Sequence, residues 1–486
     1  MQSLPDLSQL SHEQKDELIR ALMGQVQELT AHLLVLQERV KTLEGRLSLN
    51  SRNSSKPPSS DGLGKHNPKP NPKSLRVPGQ RPTGGQKGHS GNTLLQSARV
   101  DQVIEHPPSQ CTACQQALSQ FEVIERRQVF ELPVLRAQVI EHRLLRARCT
   151  CGAVHEGLWP EGINAPAQYG ASVKALGVHL NQYHMLPLKR CCEVLQDVFG
   201  MSVSQASLLA FTAEAAHRLK PTVAAIAQAV QRAPIVHADE TGIRVQDKLQ
   251  WLHCAVTPTL AWLGHHDKRA SVAFEALGVL PDFKGTLVHD GLAGYRRLDC
   301  LHSLCNAHHL RELTFVHEQE RAFDPWAQEM IDLLLLAHGE MQQNGGQPLA
   351  PHRQAWFHSQ WDALLDTGER FNPPQSKPEG APDGRRGRYK QSKAFNLLRR
   401  LREYKTEVWR FMTDPGVPFS NNLAEQALRM AKVRQKISGC FRTDEGASIF
   451  FTLRSYLATM HKQGACLFDC LLSTFAGQPV QPELTG

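Results

Sequence analysis

The first fifty residues carry apolar side chains at a seven-residue spacing. Two sets of positions repeat in register, three residues apart: Ile19, Val26, Leu33, Val40 and Leu47 in one set, and Leu22, Leu29, Leu36 and Leu43 in the other. Branched residues at most positions of the first set and leucine throughout the second favour a parallel two-stranded coiled coil. Residues 1–50 are therefore predicted to form a coiled-coil dimerisation segment that makes a homodimer or higher oligomer. The alternative is an amphipathic helix packed on its own domain.

A pattern typical of a sheet begins near residue 233. Apolar runs predict a strand leading into Asp239, strands around 251–256 and 261–264, a helix near 270–277, and a fourth strand leading into Asp290. Three strands in hairpin succession, a helix and a returning strand are compatible with the opening of a ribonuclease H-like sheet. We therefore expect an α/β fold, although periodicity alone does not select the ribonuclease H-like topology. Both acids should lie at or near strand ends, where sites are usually assembled.

Helical patterns fill most of the remaining chain. Residues 165–232 predict a helical domain, and the helix, glycine turn and helix around Gly200 fit either a helix-turn-helix or any small helical bundle. The catalytic domain is predicted at 233–440, with a large helical insertion at about 291–420. A C-terminal helical tail is predicted at 441–486.

The positive charge of the chain is concentrated in one stretch. The net charge is +8, and residues 52–99 alone hold nine Lys or Arg against one acid. The richness of residues 51–99 in Pro, Ser and Gly predicts a flexible basic linker, because such a composition buries too little apolar surface to fold alone. The linker either grips the DNA phosphate backbone or is a soluble tether. Its candidate DNA contacts are Lys65, Lys69, Lys73, Arg76, Arg81 and Lys87.

Composition limits the class of protein. The chain has 486 residues, of which 41% are hydrophobic and 21% charged, as in a soluble protein of several domains. No apolar run approaches the roughly 18 residues needed to span a bilayer, and the Met1 end lacks a signal-peptide pattern. We expect a cytoplasmic protein without a membrane partner, associated with the nucleoid when bound to DNA.

Two closely spaced cysteine pairs lie within residues 100–160. Cys111 and Cys114 have standard zinc-knuckle spacing, and Cys149 and Cys151 form a tighter pair, on either side of a β-like stretch that includes 128–140. Tetrahedral thiolate ligation can replace a core that is too small to stand alone. The pairs predict a small zinc-ribbon-like domain holding a structural Zn²⁺, against ordinary reduced thiols. His155 or His106 could take the place of one thiolate.

Three acids are candidates for catalysis on nucleic acid. Asp239, Asp290 and Glu425, brought together from separate elements, could bind two Mg²⁺ ions about 3.5–4 Å apart, the apparatus of phosphoryl transfer. Each acid also has an ordinary explanation. Asp239 or the neighbouring Glu240 could be a turn acid, and Asp290 before Gly291 could be a turn residue. Glu425 could complete a capping box with Asn422.

Five short motifs stand out along the chain: Asn53–Asp61, Gly84–His89, His237–Thr241, His289–Gly291 and Asn421–Arg429. Together they resemble bacterial transposases of the insertion sequence 66 family. The resemblance runs over nearly the whole chain in the family's order. It implies that Asp239, Asp290 and Glu425 are the DDE triad of a ribonuclease H-like catalytic core. It also implies that a helical insertion separates the second acid from the third.

The resemblance implies an activity and partners. Such a transposase cuts DNA at the ends of an insertion sequence and joins the 3′-hydroxyl ends to target DNA, and small accessory proteins of the same element are possible partners. The alternatives are a non-catalytic, zinc-containing DNA-binding regulator and a nuclease that does not join. Many family members have Cys-x-x-Cys in both halves of the zinc segment, so Cys149 and Cys151 leave the fourth zinc ligand open.

Two further groups of residues lie near the predicted acids. Cys305 and His308 match the Cys-x-x-His motif that follows the second acid in the family, and their role is either structural or metal binding. The helix after Glu425 is basic and could hold a phosphate backbone, or it could be a solvated face. Its basic residues are Arg429, Lys432, Arg434 and Lys436.

Overall fold

The computed structural model describes residues 11–47, 53, 94–319, 325–375 and 391–485. They divide into two units, described separately below. Unit 1 is Met1–Lys65, Ala167–Leu188 and Gln205–Gly486, and unit 2 is His66–Pro166 and Lys189–Ser204.

Helices dominate the described chain. The helices are α1 (His12–Leu47), α2 (Ala171–Val178), α3 (Leu188–Phe199), α4 (Gln205–Arg232), α5 (Ser271–Leu277), α6 (Asn306–Gln319), α7 (Trp326–Gln343), α8 (Pro351–Phe371), α9 (Lys393–Glu403), α10 (Lys405–Thr413), α11 (Asn422–Ser438), α12 (Asp444–Lys462) and α13 (Leu467–Phe475). The strands are β1 (Arg146–Arg148), β2 (Val154–Glu156), β3 (Ile235–Val245), β4 (Lys248–Val256), β5 (Ala261–His266), β6 (Thr286–His289) and β7 (Leu301–Leu304).

The heptad region forms one continuous helix of 36 residues, α1. Its apolar stripe faces away from the rest of unit 1, since Val26 and Leu29 are 60% and 62% exposed. Near its end the helix approaches α6, where Gly45 is buried beside Phe315. The helix is thus as predicted, whereas its pairing with a second copy stays a prediction.

A five-stranded mixed sheet lies at the centre of unit 1, in the order β5-β4-β3-β6-β7. Strands β3, β4 and β5 are successive antiparallel neighbours, and β6 and β7 run parallel to β3. Helix α5 lies between β5 and β6 in the chain. The predicted succession of three hairpin strands, a helix and a returning strand is confirmed.

Helices pack on the sheet because its strands bury alternate residues on two sides. On β3, Val236 and Ala238 belong to one core cluster with residues of α4 and α5, whereas Ile243 and Val245 belong to another with residues of α11 and α12. Because both faces of the sheet are buried, the sequences of these strands are nearly continuous apolar runs rather than alternating ones.

The predicted insertion is largely helical but begins later than expected. Residues 301–304, inside the predicted 291–420 insertion, form β7, the edge strand of the sheet. Four residues are too few to show a strand period, and β7 is held by its register with β6 rather than by its own pattern. Helices α6 to α10 follow and form a core around the buried Trp326, Trp361 and Trp409.

The last helices complete unit 1. Residues 441–486, predicted as a separate tail, include α12, which packs along the edge strand β5. The Ser455 hydroxyl accepts a hydrogen bond from the Leu263 amide at 2.9 Å, and the Thr459 hydroxyl accepts one from the Ala261 amide at 3.0 Å. These side chains satisfy edge groups that would otherwise lack a strand partner.

Unit 2 contains little regular structure. Strands β1 and β2 pair antiparallel over three residues, and the predicted β-like stretch within 128–140 has no strand. The expectation of strands there was wrong because the apolar side chains have nothing to pack against: Val129 and Val139 are 81% and 95% exposed. In the predicted helix-turn-helix region, α3 ends at a left-handed Gly200 (φ 68°).

Along the parts of the chain that the structure describes, no helix combines the length and the apolar character that a membrane crossing requires.

Candidate active site

Asp239 and Asp290 lie at the same level of two neighbouring parallel strands. The last parallel pair of β3 and β6 is His237 with Val288, and both acids follow two residues later. Asp290 directly follows β6, as predicted for a strand end. Asp239 instead lies in the middle of β3, so its predicted position at a strand end was wrong. Strand β3 continues because its hairpin with β4 keeps pairing as far as Val245.

The electrostatics of Asp239 indicate a buried site in which negative charge outweighs positive charge. Burial, followed by the charges of Glu240 and Asp290, raises the pKa of Asp239 to about 8. One carboxylate oxygen accepts a hydrogen bond from the Glu240 amide at 2.8 Å. A bound cation would reverse this penalty, because it stabilises the ionised form of the carboxyl group.

Asp290 lies in a turn held by histidines. The Leu292 amide donates to its Oδ1 at 3.0 Å, and Gly291 adopts a positive φ of 93°, so the turn explanation applies to one oxygen of this acid. The Gly291 amide donates to Nδ1 of His289, whose Nε2 lies 3.2 Å from Nδ1 of His302. These hydrogen bonds fix His289 in the tautomer that carries its proton on Nε2. His289 and His302 are positioning residues that sequence reasoning missed.

Glu425 lies in the first turn of α11, and the residue that anchors this turn is Asn421. The Asn421 amide group donates to the Ala238 carbonyl at 2.8 Å, and its Oδ1 lies 3.0 Å from Nδ1 of His237. Its backbone N–H donates to Cys305 Sγ at 3.1 Å. The fully buried Asn421 thus fastens α11 to β3 and to the end of β7. The contacts of Asn421 account for the position of Glu425 without the capping box considered for Asn422.

Glu425 meets Cys305 and His308. Among the described His, Cys, Asp and Glu residues, these three form the group whose ligand atoms all lie within 4.8 Å of one another. Asp239, Asp290 and Glu425 do not form such a group among the described residues. His308 is nevertheless coupled electrostatically to both acids. Its charge lowers the pKa of Asp239, and the charge of Glu425 raises the pKa of His308. Nη1 of Arg311 lies 3.9 Å from Oε1 of Glu425.

Glu240 forms a buried ion pair beside Asp239. Its side chain has no exposed surface, and its Oε1 accepts two hydrogen bonds from Arg269, at 3.0 and 2.6 Å. Tyr295 donates to Oε2 at 2.5 Å. Burial and the charge of Asp290 raise the pKa of Glu240, and the bonds from Tyr295 and Arg269 oppose this. Glu240 is therefore a strand residue held in place by Arg269 and Tyr295, and not a turn residue.

The predicted DNA contacts differ in their surroundings. Arg429 and Lys436 are exposed on α11, whereas Lys432 donates to the Gly242 carbonyl of β3 and Arg434 is half-buried near the Phe450 ring. The linker residues Lys65, Lys69, Lys73, Arg76, Arg81 and Lys87 lie outside the described residues.

The cysteine pairs of unit 2 each lie on their own turn. The Gln115 amide donates to the Cys111 carbonyl at 2.8 Å, and the Cys149 amide donates to the Ala153 carbonyl at 2.7 Å within the β1–β2 hairpin. Hydrogen bonds from the backbones at Cys114 and Cys151 lower the pKa values of Cys111 and Cys149, respectively. Within the described chain, the four sulfur atoms do not form a group within 4.8 Å of one another.

Residues 166–449 match the family model described as Transposase IS66 family. The chain belongs to this family. Membership in a transposase family makes the chain a DNA-binding, DNA-processing protein. Residues 2–94 of this transposase match a second family model, described as a family of unknown function, DUF6444.

Comparison with individual proteins adds little to this assignment. No curated protein matches the transposase. A solved structure, the "CryoEM structure of simian T-cell lymphotropic virus intasome in complex with PP2A regulatory subunit B56 gamma", shows 14% identity with a TM-score of 0.12. The match covers 34% of the transposase and 53% of that chain, about half of its length. Likeness at this level supports no conclusion about fold or activity.

Proposed function

We propose that this transposase binds the ends of its insertion sequence and catalyses divalent-metal-dependent cleavage and strand transfer of DNA. Asp239, Asp290 and Glu425 are its proposed DDE triad. The observation that supports this most strongly is the position of Asp239 on β3 and of Asp290 just after the adjacent parallel strand β6, each two residues beyond the last paired residues, at a place where burial and negative charge raise the pKa of Asp239. Such a pair favours a divalent cation, which supplies the missing positive charge.

The sheet is consistent with a ribonuclease H-like core. Three antiparallel strands in succession are followed by two strands parallel to the first, and the two aspartates lie on the first and fourth strands of this sheet. The helical region between β7 and α11 then corresponds to the proposed insertion. Asn421 returns Glu425 to this sheet, 135 positions after Asp290.

The donor set of the aspartates fits Mg²⁺. Carboxylate oxygens are the hard ligands that this ion prefers, and one oxygen of Asp239 and one of Asp290 already accept backbone hydrogen bonds that orient the groups. Two Mg²⁺ ions, when bound, would supply activation of the attacking oxygen and stabilisation of the leaving oxygen. The ion pair with Arg269 holds the buried Glu240, which follows Asp239 on β3, in place.

Several segments are proposed to bind DNA or a second copy. The exposed apolar stripe of α1 fits a parallel coiled coil, which would hold two element ends together. The basic linker, the zinc segment with its structural Zn²⁺, and the exposed Arg429 and Lys436 are proposed to contact the phosphate backbone. Accessory proteins of the same element and a cytoplasmic, nucleoid-associated location remain part of this proposal.

A strand-transfer assay tests the proposed reaction. Full-length protein is mixed with labelled element ends, target plasmid and Mg²⁺, and compared with Asp239→Asn, Asp290→Asn and Glu425→Gln. The matched control is Asp299→Asn, since Asp299 is 95% exposed and pairs with Lys284 away from the triad. We expect the three triad variants to lose cleavage and joining while DNA binding persists.

Other outcomes identify the alternative functions. If all variants behave as the wild type, the acids are structural and the protein is a DNA-binding regulator. If cleavage depends on the triad but no labelled 3′-hydroxyl end is joined to plasmid, the protein is a nuclease.

A further inference from the structure

Cys305, His308 and Glu425 come together at the end of β7. The Cys305 amide donates to the His289 carbonyl at 2.9 Å and so continues the strand ladder, and His308 follows in the first turn of α6. Glu425 arrives from the first turn of α11. Three separate elements thus present a thiol, an imidazole and a carboxylate within 4.8 Å of one another.

The chemistry of these donors differs from that of the aspartate pair. Sulfur and imidazole nitrogen are poor ligands for Mg²⁺ but good ones for Zn²⁺. Ligand atoms bound tetrahedrally at about 2.0–2.3 Å from zinc lie roughly 3.3–3.8 Å apart. The observed grouping within 4.8 Å therefore needs only a small contraction around an ion.

The surroundings of the three residues favour a metal-bound thiolate. The backbone N–H of Asn421 donates to Cys305 Sγ at 3.1 Å, and such donors stabilise negative charge on sulfur. Nδ1 of His308 is buried and has no hydrogen-bond partner among the described residues.

We propose that Cys305, His308 and Glu425 bind one Zn²⁺ ion, at a site separate from the zinc segment of unit 2. The ion has three protein ligands and a fourth position left open to solvent or substrate. Binding does not rest on the proposed catalysis, although Glu425 belongs to both sites. The site ties the first turn of α11 to the end of β7.

Cobalt substitution tests the proposed site in the full-length protein. Co²⁺ is added to metal-free wild type, Cys305→Ser, His308→Ala and Cys300→Ser, and thiolate-to-cobalt absorption is recorded in the near ultraviolet. Cys300 is the matched control, because this half-buried thiol directly precedes β7 whereas Cys305 directly follows it. Bound zinc per chain is counted by elemental analysis of the same variants.

We expect Cys305→Ser and His308→Ala each to lose one equivalent of bound metal. Their affinity at this site should fall by about 100-fold or more, since removing even outer partners of metal ligands costs roughly 10–100-fold. The part of the absorption that is due to Cys305 should vanish in Cys305→Ser and persist in Cys300→Ser. Excess Mg²⁺ should not displace it.

The proposal is overturned if Cys305→Ser and His308→Ala retain the wild-type metal count and spectrum. Circular dichroism of each variant shows whether a lost equivalent reflects unfolding, and His308→Ala provides a second variant that leaves the thiol intact. Strand transfer is measured in parallel. A wild-type spectrum that lacks the Cys305 band, together with normal Mg²⁺-dependent joining, would reject this zinc site and leave the proposed function standing.

Discussion

The sheet of unit 1 and the cysteine segment of unit 2 position their functional groups in opposite ways. In the sheet, Asp239 and Asp290 are placed by strand register and by core clusters on the two sides. In the cysteine segment, the strands are three residues long and apolar side chains such as Val139 are exposed. The difference leads us to expect that the core of the sheet arranges its carboxylates in advance of any metal, whereas the cysteine segment would need a bound metal for its order.

The largest expected effect is the loss of order in the cysteine segment when zinc is removed. Cys114→Ser, or chelation of the wild type, should abolish zinc binding there and expose residues 94–166 to protease, because structural zinc contributes roughly 10–16 kcal/mol to the folding of small zinc domains. Limited proteolysis of full-length protein measures this. The exposed thiol Cys466→Ser is the control. Equal resistance of the Cys114→Ser variant would show that this segment does not need metal.

The second effect concerns catalysis without loss of fold. Asp290→Asn should reduce strand transfer by about 10⁴-fold, a scale seen when groups of a catalytic unit are removed. Its melting temperature should remain near that of wild type, because the core places this residue without help from a metal. Calorimetry and the joining assay are run on the same sample. Unfolding of Asp290→Asn would contradict the idea of a prearranged site.

The third effect concerns Asn421, the residue that fastens α11 to β3. Asn421→Ala removes buried bonds to the Ala238 carbonyl and to His237, and should lower the free energy of unfolding by about 2–4 kcal/mol. Joining should fall as well, since Glu425 loses its anchor. The neighbouring Asn422→Ala is the matched control, because Asn422 is exposed on the same turn. Denaturant titration of both variants gives the comparison, and similar stabilities would remove Asn421 from this role.

The fourth effect is a pH dependence in the metal-free protein. Because burial and neighbouring charges raise the pKa of Asp239 from 3.8 to about 8, the native state holds a proton that the unfolded chain has released. The native state therefore loses stability as the pH rises from about 4 and levels off above about 8, by at most about 1.4 kcal/mol per pH unit. Urea titrations across this range, compared with Asp239→Asn, should show the contribution of Asp239 as the difference between the two slopes, which is more negative in wild type. Adding Mg²⁺ should flatten it.

The smallest effect separates two basic residues of α11. Arg429→Ala should weaken DNA binding uniformly across sequences and reduce the slope of log affinity against log salt by about 1, as for one phosphate contact. Lys432→Ala should change that slope less, because Lys432 already donates to the Gly242 carbonyl. Salt titrations of binding measure both. The reverse order would place the backbone nearer β3 than we propose.

The elements whose hydrophobic pattern extends over many residues could be predicted from the sequence. The helix over the heptads and the hairpin strands each repeat a pattern over enough residues to be recognised, and the short strand before Asp290 follows an apolar run. Strand β7 is equally short, but His302 and Ser303 interrupt its apolar residues, so it could not be predicted and depends on pairing with β6. The position of Asp239 within β3 was missed for a related reason: its apolar run ends there, but the hairpin continues.

The side chains around the acids were harder to predict than the acids themselves. Asp239, Asp290 and Glu425 lie in recognisable motifs, whereas the roles of His302, Arg269 and Asn421 depend on partners distant in sequence. Asn421, for example, bonds to Ala238, 183 positions away. The Asn-Asn pair before Glu425 was a visible signal, but nothing local indicated which asparagine would be buried. Contacts of this kind come from packing of whole elements.

The hydroxyls of α12 also cover part of the outer edge of the sheet. An open edge on β5 would invite a strand from a second molecule, a hazard when several copies are crowded on one piece of DNA. Ser455 and Thr459 occupy the amides of Leu263 and Ala261 and so close part of that edge to strand exchange. A polymer that grows sheet to sheet is thereby disfavoured, and crowding on DNA need not lead to aggregation.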